Sequence, residues 1–347
     1  MILHKHNNTS AGPEGLSLTL HILDYYVRPV YTTIGIFANL IAAILLRTND
    51  KSRSSTTVYC RCLTTVHVIF LITLLLAWID SQTPLSVFSQ VSVACQAFFF
   101  FSNLTNFVSV WTQVVIAIDA HIRMCYTARA ALCSRMRARF VLLGIVAVAI
   151  AVHVNLSLTV SNHMMTCIPL ADYGDSALLL VRFDAIFNVV LPYSVVIILN
   201  SMTMVVTVKH RHRGIASFVH HLHVRMSTVA TRRYSPRHEE IVIRRDVILS
   251  LAINGVFLLF TSPTQFLRFY TVTRPTNVEL TMIVYLVQQM ALHAYHLSFT
   301  LHAFVYIIYL PYMRHALNPV NLKRNSSSKR KKSSCNYRRT NIEEEAI

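Results

Sequence analysis

Charge is scarce in this chain. Only 14% of its 347 residues are Asp, Glu, Lys or Arg, against about a quarter in an ordinary soluble domain. That shortage argues against a water-soluble globule. Glycine is scarcer still. Seven in the whole chain argue against a fibrous or low-complexity segment, and none belongs to a Gly-rich loop that would cradle a phosphate. There is no His-Glu-x-x-His and no pair of carboxylates placed to share a membrane cavity, so enzymatic chemistry has little to stand on. No basic-then-apolar leader with a small-residue cleavage site is visible at the start. The first apolar stretch is therefore expected to be a membrane helix.

What the chain has is apolar length. Residues are 54% hydrophobic. The stretch from Cys95 to Arg139 organises the rest. Between Cys95 and Ala120 there is no Lys or Arg and one acid, Asp119, and then come Arg123, Arg129, Arg135, Arg137 and Arg139. An apolar run of more than about 20 residues crosses a bilayer as a helix, and its basic flank belongs in the cytoplasm. The same pattern predicts spans over Val27–Leu46, Thr57–Trp78, Phe140–Val160, Leu178–Val208, Val247–Tyr270 and Val278–Leu310, with Pro192 and Pro263 inside the fifth and sixth. The expected fold is an all-α membrane protein, a seven-transmembrane helix bundle with its N-terminus outside. Residues 1–24 are expected to be an extracellular N-terminus, 25–320 the seven-span domain and 321–347 a basic cytoplasmic tail.

The net charge of +17 could suggest nucleic acid, but its placement does not. Lys5, Arg28, Arg182, Arg268 and Arg274 fall on the predicted outer side or at helix ends facing it, and all other Lys and Arg fall on the inner side. That is a positive-inside asymmetry, with anionic lipid as the partner of the basic loops and tail. Asn7 and Asn8 begin overlapping glycosylation acceptors, which require an external position. Of seven cysteines, Cys95 and Cys167 fall on the outer, oxidising side, where a disulfide persists; two free thiols are the alternative. Cys335, beside Lys329-Arg330-Lys331-Lys332, is a candidate for palmitoylation.

Several positions resemble the rhodopsin-like G-protein-coupled receptors. Asn39 in IGIFANLIAAILL sits where that family has its first-helix Asn. Cys95 and Cys167 stand where its disulfide lies. Asp119 stands at the acid of the Asp/Glu-Arg-Tyr motif, Pro192 and Pro263 at the prolines of spans five and six, and Tyr306 at the end of the Asn-Pro-x-x-Tyr motif. The likeness covers about residues 25–320 and is suggestive of the peptide-binding branches. It departs from the family where Ala120 and His121 replace Arg and Tyr, where His67 replaces the span-two Asp, where Phe260-Thr261-Ser262-Pro263 lacks the span-six Trp, and where His302-Ala303 replaces Asn-Pro.

The resemblance implies a receptor in the plasma membrane that passes binding of an extracellular ligand, of the neuropeptide kind, to a heterotrimeric G protein and to arrestin. Ser102, Asn103, Asn106, Gln265, Arg268, Gln288, Gln289, His293 and His296 are the candidate ligand-binding residues; interhelical hydrogen bonding is their other reading. Ser102 stands where amine receptors carry an Asp, which argues against an amine ligand. Asp119, Ala120, His121, Arg123 and Tyr306 are the candidates for coupling. Arg123 follows Asp119 by four residues and so shares its face; it is expected to take over part of the pairing of the missing Arg, at about 0.3 kcal/mol if exposed, and contact with lipid phosphate alone is its other reading. Asn39, His67, Ser109 and His302 form an inner polar pocket at the family's sodium site, where imidazoles offer sodium no negative charge. Hydrogen-bonded core histidines and a proton- or metal-responsive pocket are its two readings. No metal site and no cofactor is expected. The alternative function is a degenerate or decoy receptor that binds ligand with weak or no coupling.

Overall fold

Hydrocarbon offers a backbone no hydrogen bonds, so a chain that crosses it must satisfy its own N–H and C=O groups, and long helices do this within one segment. The computed structural model describes residues 14–48, 54–83, 91–126, 133–158, 160–163, 166–169, 186–212, 236–273 and 282–309. Seven of its helices are long and apolar enough to cross a membrane: Leu18–Arg47, Ser55–Gln82, Ser92–Cys125, Arg135–Asn155, Ile186–Lys209, Ile243–Leu267 and Val284–Tyr309. By length and composition this is a multi-pass membrane protein.

The first span is a composite of α1 (Glu14–Ile22), a π-helical turn (Leu23–Val27) and α2 (Arg28–Thr48). Its apolar path begins at Leu18, upstream of the expected start at Val27 and inside the stretch expected to be polar N-terminus. Asp24, inside this path, is ion-paired one turn on with Arg28, so its charge does not end the helix. Then follow α3 (Ser55–Gln82), α4 (Ser92–Cys125) and α5 (Arg135–Leu158). A short antiparallel hairpin, β1 (Val160–His163) with β2 (Thr166–Pro169), sets Asn162 opposite Cys167 and is a departure from an all-helical chain. A second π-helical turn (Ile186–Val190) leads into α6 (Leu191–His212); α7 (Pro236–Thr273) and α8 (Met282–Tyr309) complete the set.

The loop expected over Lys209–Arg245 is shorter than expected, because α6 runs to His212 and α7 starts at Pro236. Hydropathy marks only the apolar centre of a helix, and the hydrogen-bonded ladder continues past it into polar sequence. Each helix end needs partners for its unpaired backbone groups. Ser54 supplies one as the N-cap of α3, its Oγ accepting from Thr56 N at 3.2 Å. Arg61 supplies another, donating from Nε and Nη2 to Leu46 O at 2.9 and 2.5 Å.

The chain divides into two compact units, Met1–Val305 and Tyr306–Ile347; of the second only Tyr306–Tyr309, the end of α8, is described. Within the first unit α4 is central. It packs on α3, α5, α6, α7 and both strands of the hairpin. Against α2 and α3, α8 builds a core of Tyr31, Phe70, Leu71, Leu74, Tyr295 and Phe299. Side chains also stitch α8 to α2: Asn39 Nδ2 donates to Phe299 O at 3.1 Å, and Thr300 Oγ1 to Tyr31 O at 3.1 Å. Gly35 makes this approach possible, since a Cβ there would lie 2.2 Å from Thr300 Oγ1. Large apolar side chains such as Phe37, Leu143, Leu259 and Phe266 face outward, as a lipid-facing surface requires.

Candidate functional site

Three polar groups lie inside the first unit, one near each end of the bundle and one between them. At the Asp119 end, Arg123 is the hub. Its Nε lies 2.9 Å from Asp119 Oδ2 one turn back on α4, and its Nη1 lies 3.2 Å from Asp246 Oδ2 on α7. Its Nη2 donates to Ser55 Oγ of α3 at 2.5 Å. Ser55 Oγ donates in turn to Asp119 Oδ1 at 2.7 Å, and Ser54 Oγ to Asp246 Oδ2 at 2.5 Å. Arg245 adds a contact to Asp246 Oδ1 at 3.2 Å. The pair expected to sit at the surface is buried: the Arg123, Asp119 and Asp246 side chains are 8, 7 and 4% exposed. The exposed-pair energy therefore does not apply. A buried ion pair offsets desolvation only when its remaining donors and lone pairs are also met, and the two serines meet part of that here, while Arg123 Nε has its ion-pair contact with Asp119 but no hydrogen bond. Cys133 lies against the group, its thiol 3.8 Å from Asp119 O, and burial, reinforced by the Asp119 carboxylate, pushes that thiol up to about 12.

Ala120 is buried, and His121 points to α6, with Nδ1 3.2 Å from Thr203 Oγ1 and 3.6 Å from Cys125 Sγ. These two positions thus face helix neighbours. Tyr306 belongs to the second unit.

Midway along the bundle, His67 and His302 come together with ring centroids 5.0 Å apart. His302 Nδ1 lies 2.6 Å from Ser298 O. A carbonyl only accepts, so Nδ1 carries the hydrogen and Nε2 is left to accept from Gln113 Nε2 at 3.1 Å. His67 Nε2 lies 3.1 Å from Ser109 Oγ, and its ring meets Phe299 edge-on. His67 Nδ1 and Gln113 Oε1 are left without a partner. Asn39, expected in this group, is bound instead to backbone, at Gly35 O (2.9 Å) and Phe299 O. The group holds imidazoles, a hydroxyl and amides, a donor set poor in the charged oxygens that a hard cation takes. Among the described residues no cluster of three or more His, Cys, Asp or Glu could hold a metal ion.

At the opposite end the expected ligand-binding residues divide. Tyr295 OH donates to Asn106 Oδ1 at 2.8 Å and so joins α8 to α4. Thr264 Oγ1 donates to Ala291 O at 2.6 Å and joins α7 to α8. Gln265 is buried with Oε1 unpartnered. His293 lies 3.3 Å from Asp24 Oδ1 through Nε2 and 3.4 Å from the Tyr31 hydroxyl through Nδ1. His296 is buried against Phe70 and Tyr295. Asn103 spends its amide on Phe99 O of its own helix at 2.8 Å. Ser102, Gln288 and Gln289 are half-buried. Cys95 is disulfide-bonded, while Cys60, Cys62, Cys125 and Cys133 are free. The side chains of Cys167 and Arg268, and all of Asn7, Asn8 and Cys335, lie outside the described residues.

The groups that sequence reasoning missed are Asp24, Arg28, Tyr31, Ser54, Ser55, Gln113, Asp246 and Tyr295. The two acids carried a signal, since a carboxylate at the lip of an apolar span needs a partner nearby. The serines and Gln113 carried none. No protein-family model matches this chain, and no curated protein matches it in sequence.

Proposed function

We propose that the chain is a seven-helix receptor of the rhodopsin-like kind, sited in the plasma membrane with its N-terminus outside, that passes the binding of an extracellular peptide to an intracellular G protein. The observation that carries this reading is the Arg123 group. A transducer needs two arrangements of its inner end, with ligand shifting their populations. Arg123 ties α4 to α3 and α7 through side-chain contacts alone, so α7 can part from α4 without breaking backbone hydrogen bonds. In this reading the Asp119 end faces the cytoplasm, where the basic segments after α4 and α6 meet G protein and anionic lipid. The Asp24 end, with Asn106, Gln265 and His293, faces the ligand. Cys95 pairs with Cys167: the hairpin carrying Cys167 packs on α4, and four of the other cysteines are free.

The second reading is a receptor that binds ligand and couples weakly. It draws on Ala120 and on His121, which is turned toward Thr203, where relatives have an Arg and a Tyr. A peptide-library screen on cells expressing the chain, read out for G protein and arrestin together, separates the two. Ligand-dependent G-protein output supports the first. Binding with neither output supports the second. No bound peptide in a library that recovers control receptors, with transport of a solute in its place, would overturn both.

A further inference from the structure

The group at the Asp24 end holds more ionisable chemistry than a ligand pocket needs. Asp24 stands on the π-helical turn Leu23–Val27. A π-turn is an uncommon interruption of an α-helix and recurs at functional positions. Its Oδ1 is shared: Arg28 Nη2, one turn along the same span, holds it closely, and His293 Nε2 of α8 lies 3.3 Å away. The other ring nitrogen of His293 is 3.4 Å from the Tyr31 hydroxyl. Both contacts of His293 are long. Hydrogen bonds from a charged nitrogen to a carboxylate run nearer 2.7–2.9 Å.

A neutral imidazole has one N–H to serve these two partners, so Tyr31 must donate if Asp24 accepts. An imidazolium donates on both sides, to the carboxylate through Nε2 and to the phenol oxygen through Nδ1. The geometry points to a proton-operated clasp, in which His293, once charged, tightens on the Asp24 carboxylate that Arg28 also holds and binds the first span to the last at this end of the bundle. The clasp rests on its own contacts and holds whether or not the chain is a receptor.

The charged and titratable groups facing His293 are Asp24, Arg28 and Tyr31 of the first span and His296 one turn along α8. Next to them α3 sets the rings of Phe70 and Trp78, against His296 and Tyr25 respectively. One carboxylate thus serves two cations. The proton adds a charged pair between spans to the pair that already exists within one span. His296 is buried among aromatic rings with its Nδ1 unpartnered, while the ion-pair distance to Asp24 belongs to His293, so the clasp is assigned to His293. The Asp24 side chain is 45% exposed where that of His293 is 9%, so the carboxylate is the outer member of the pair. Gain of a proton by His293 closes the clasp and its loss releases it, whichever way the two spans are otherwise packed.

The test uses the full chain in lipid nanodiscs, with thermal unfolding followed from pH 8 to pH 5.5. The wild type should gain about 2–4 °C in Tm over that range. His293→Gln and Asp24→Asn should each abolish that gain, and the double variant should lose no more than either alone. Tyr31→Phe, which removes the second acceptor, should reduce it, and His296→Gln should keep it. A full gain in His293→Gln, or its loss in His296→Gln alone, overturns the clasp. Should the single variants fail to fold, the wild type still decides the matter by hydrogen exchange corrected for intrinsic rate. Backbone amides of α8 around His293 should be more protected at pH 5.5 than at pH 8, and equal protection overturns the proposal.

Discussion

Replacing Arg123 tests the inner group most directly. Three contacts leave three different nitrogens of one guanidinium, Nε to Asp119, Nη1 to Asp246 and Nη2 to Ser55. Arg123→Ala removes the cation shared by two carboxylates that are each under a tenth exposed, leaving Asp119 without it while Asp246 keeps only the half-buried Arg245. Breaking a buried pair from one side costs about 3–5 kcal/mol, most of it the penalty of the stranded charge. At about 2–4 °C per kcal/mol, the unfolding midpoint in nanodiscs should fall by about 6–20 °C. Arg123→Lys keeps the charge but not the fork, and a point cation cannot reach three partners in three directions, so it should recover less than half of the loss. Asp246→Asn removes one of the two acids that share Arg123. In the Arg123→Ala background it should therefore be nearly silent or restoring, while alone it destabilises, with a coupling of about 0.5–3 kcal/mol. Strict additivity of Arg123→Ala and Asp246→Asn, or a midpoint for Arg123→Ala within experimental error of the wild type, would refute the buried network.

Other expectations follow from the same structure. Gly35→Ala places a methyl against Thr300 Oγ1 and Leu71 Cδ1 and should cost about 1–3 kcal/mol by overpacking; Thr300→Ala should restore part of that in a melt, and no rescue would mean that α2 and α8 do not approach there. Cys95→Ala and Cys167→Ala should lower surface expression alike, with the double variant adding little; clearly additive losses count against a bridge between them. Ligand affinity should be the same in sodium and in an organic cation at equal ionic strength, because His67 and His302 offer no carboxylate; a reproducible sodium-specific change in affinity contradicts this.

The seven spans were legible because about 20 apolar residues in a row have few other uses in a protein. Their ends were not. The stretch up to residue 24 read as N-terminus, yet Asp24 is paired with Arg28 inside a continuous helical path, and the charged start of α7 read as loop although its backbone ladder continues there. The Asp119–Arg123 contact was legible from a spacing of four on one helix. Its burial was not, since that depends on Asp246 and Ser55, whose distance in sequence hides their nearness. The two histidines could be placed near one another only through resemblance to a known family. Gln113 was missed because one amide in an apolar helix leaves no periodic trace.

Ser54 holds two posts with one hydroxyl. Its oxygen accepts from Thr56 N at the start of α3, and its hydrogen goes to Asp246 Oδ2 on α7. Donating to a carboxylate makes the same oxygen a better acceptor, as in any chain of polarised hydrogen bonds. The first turn of α3 is therefore firmer while α7 is docked than when it is not. The Thr56 amide becomes a remote gauge of a helix that it does not touch. Isotope labelling at that single backbone site would register α7 leaving, by a rise in exchange, with no probe attached to the part that moves.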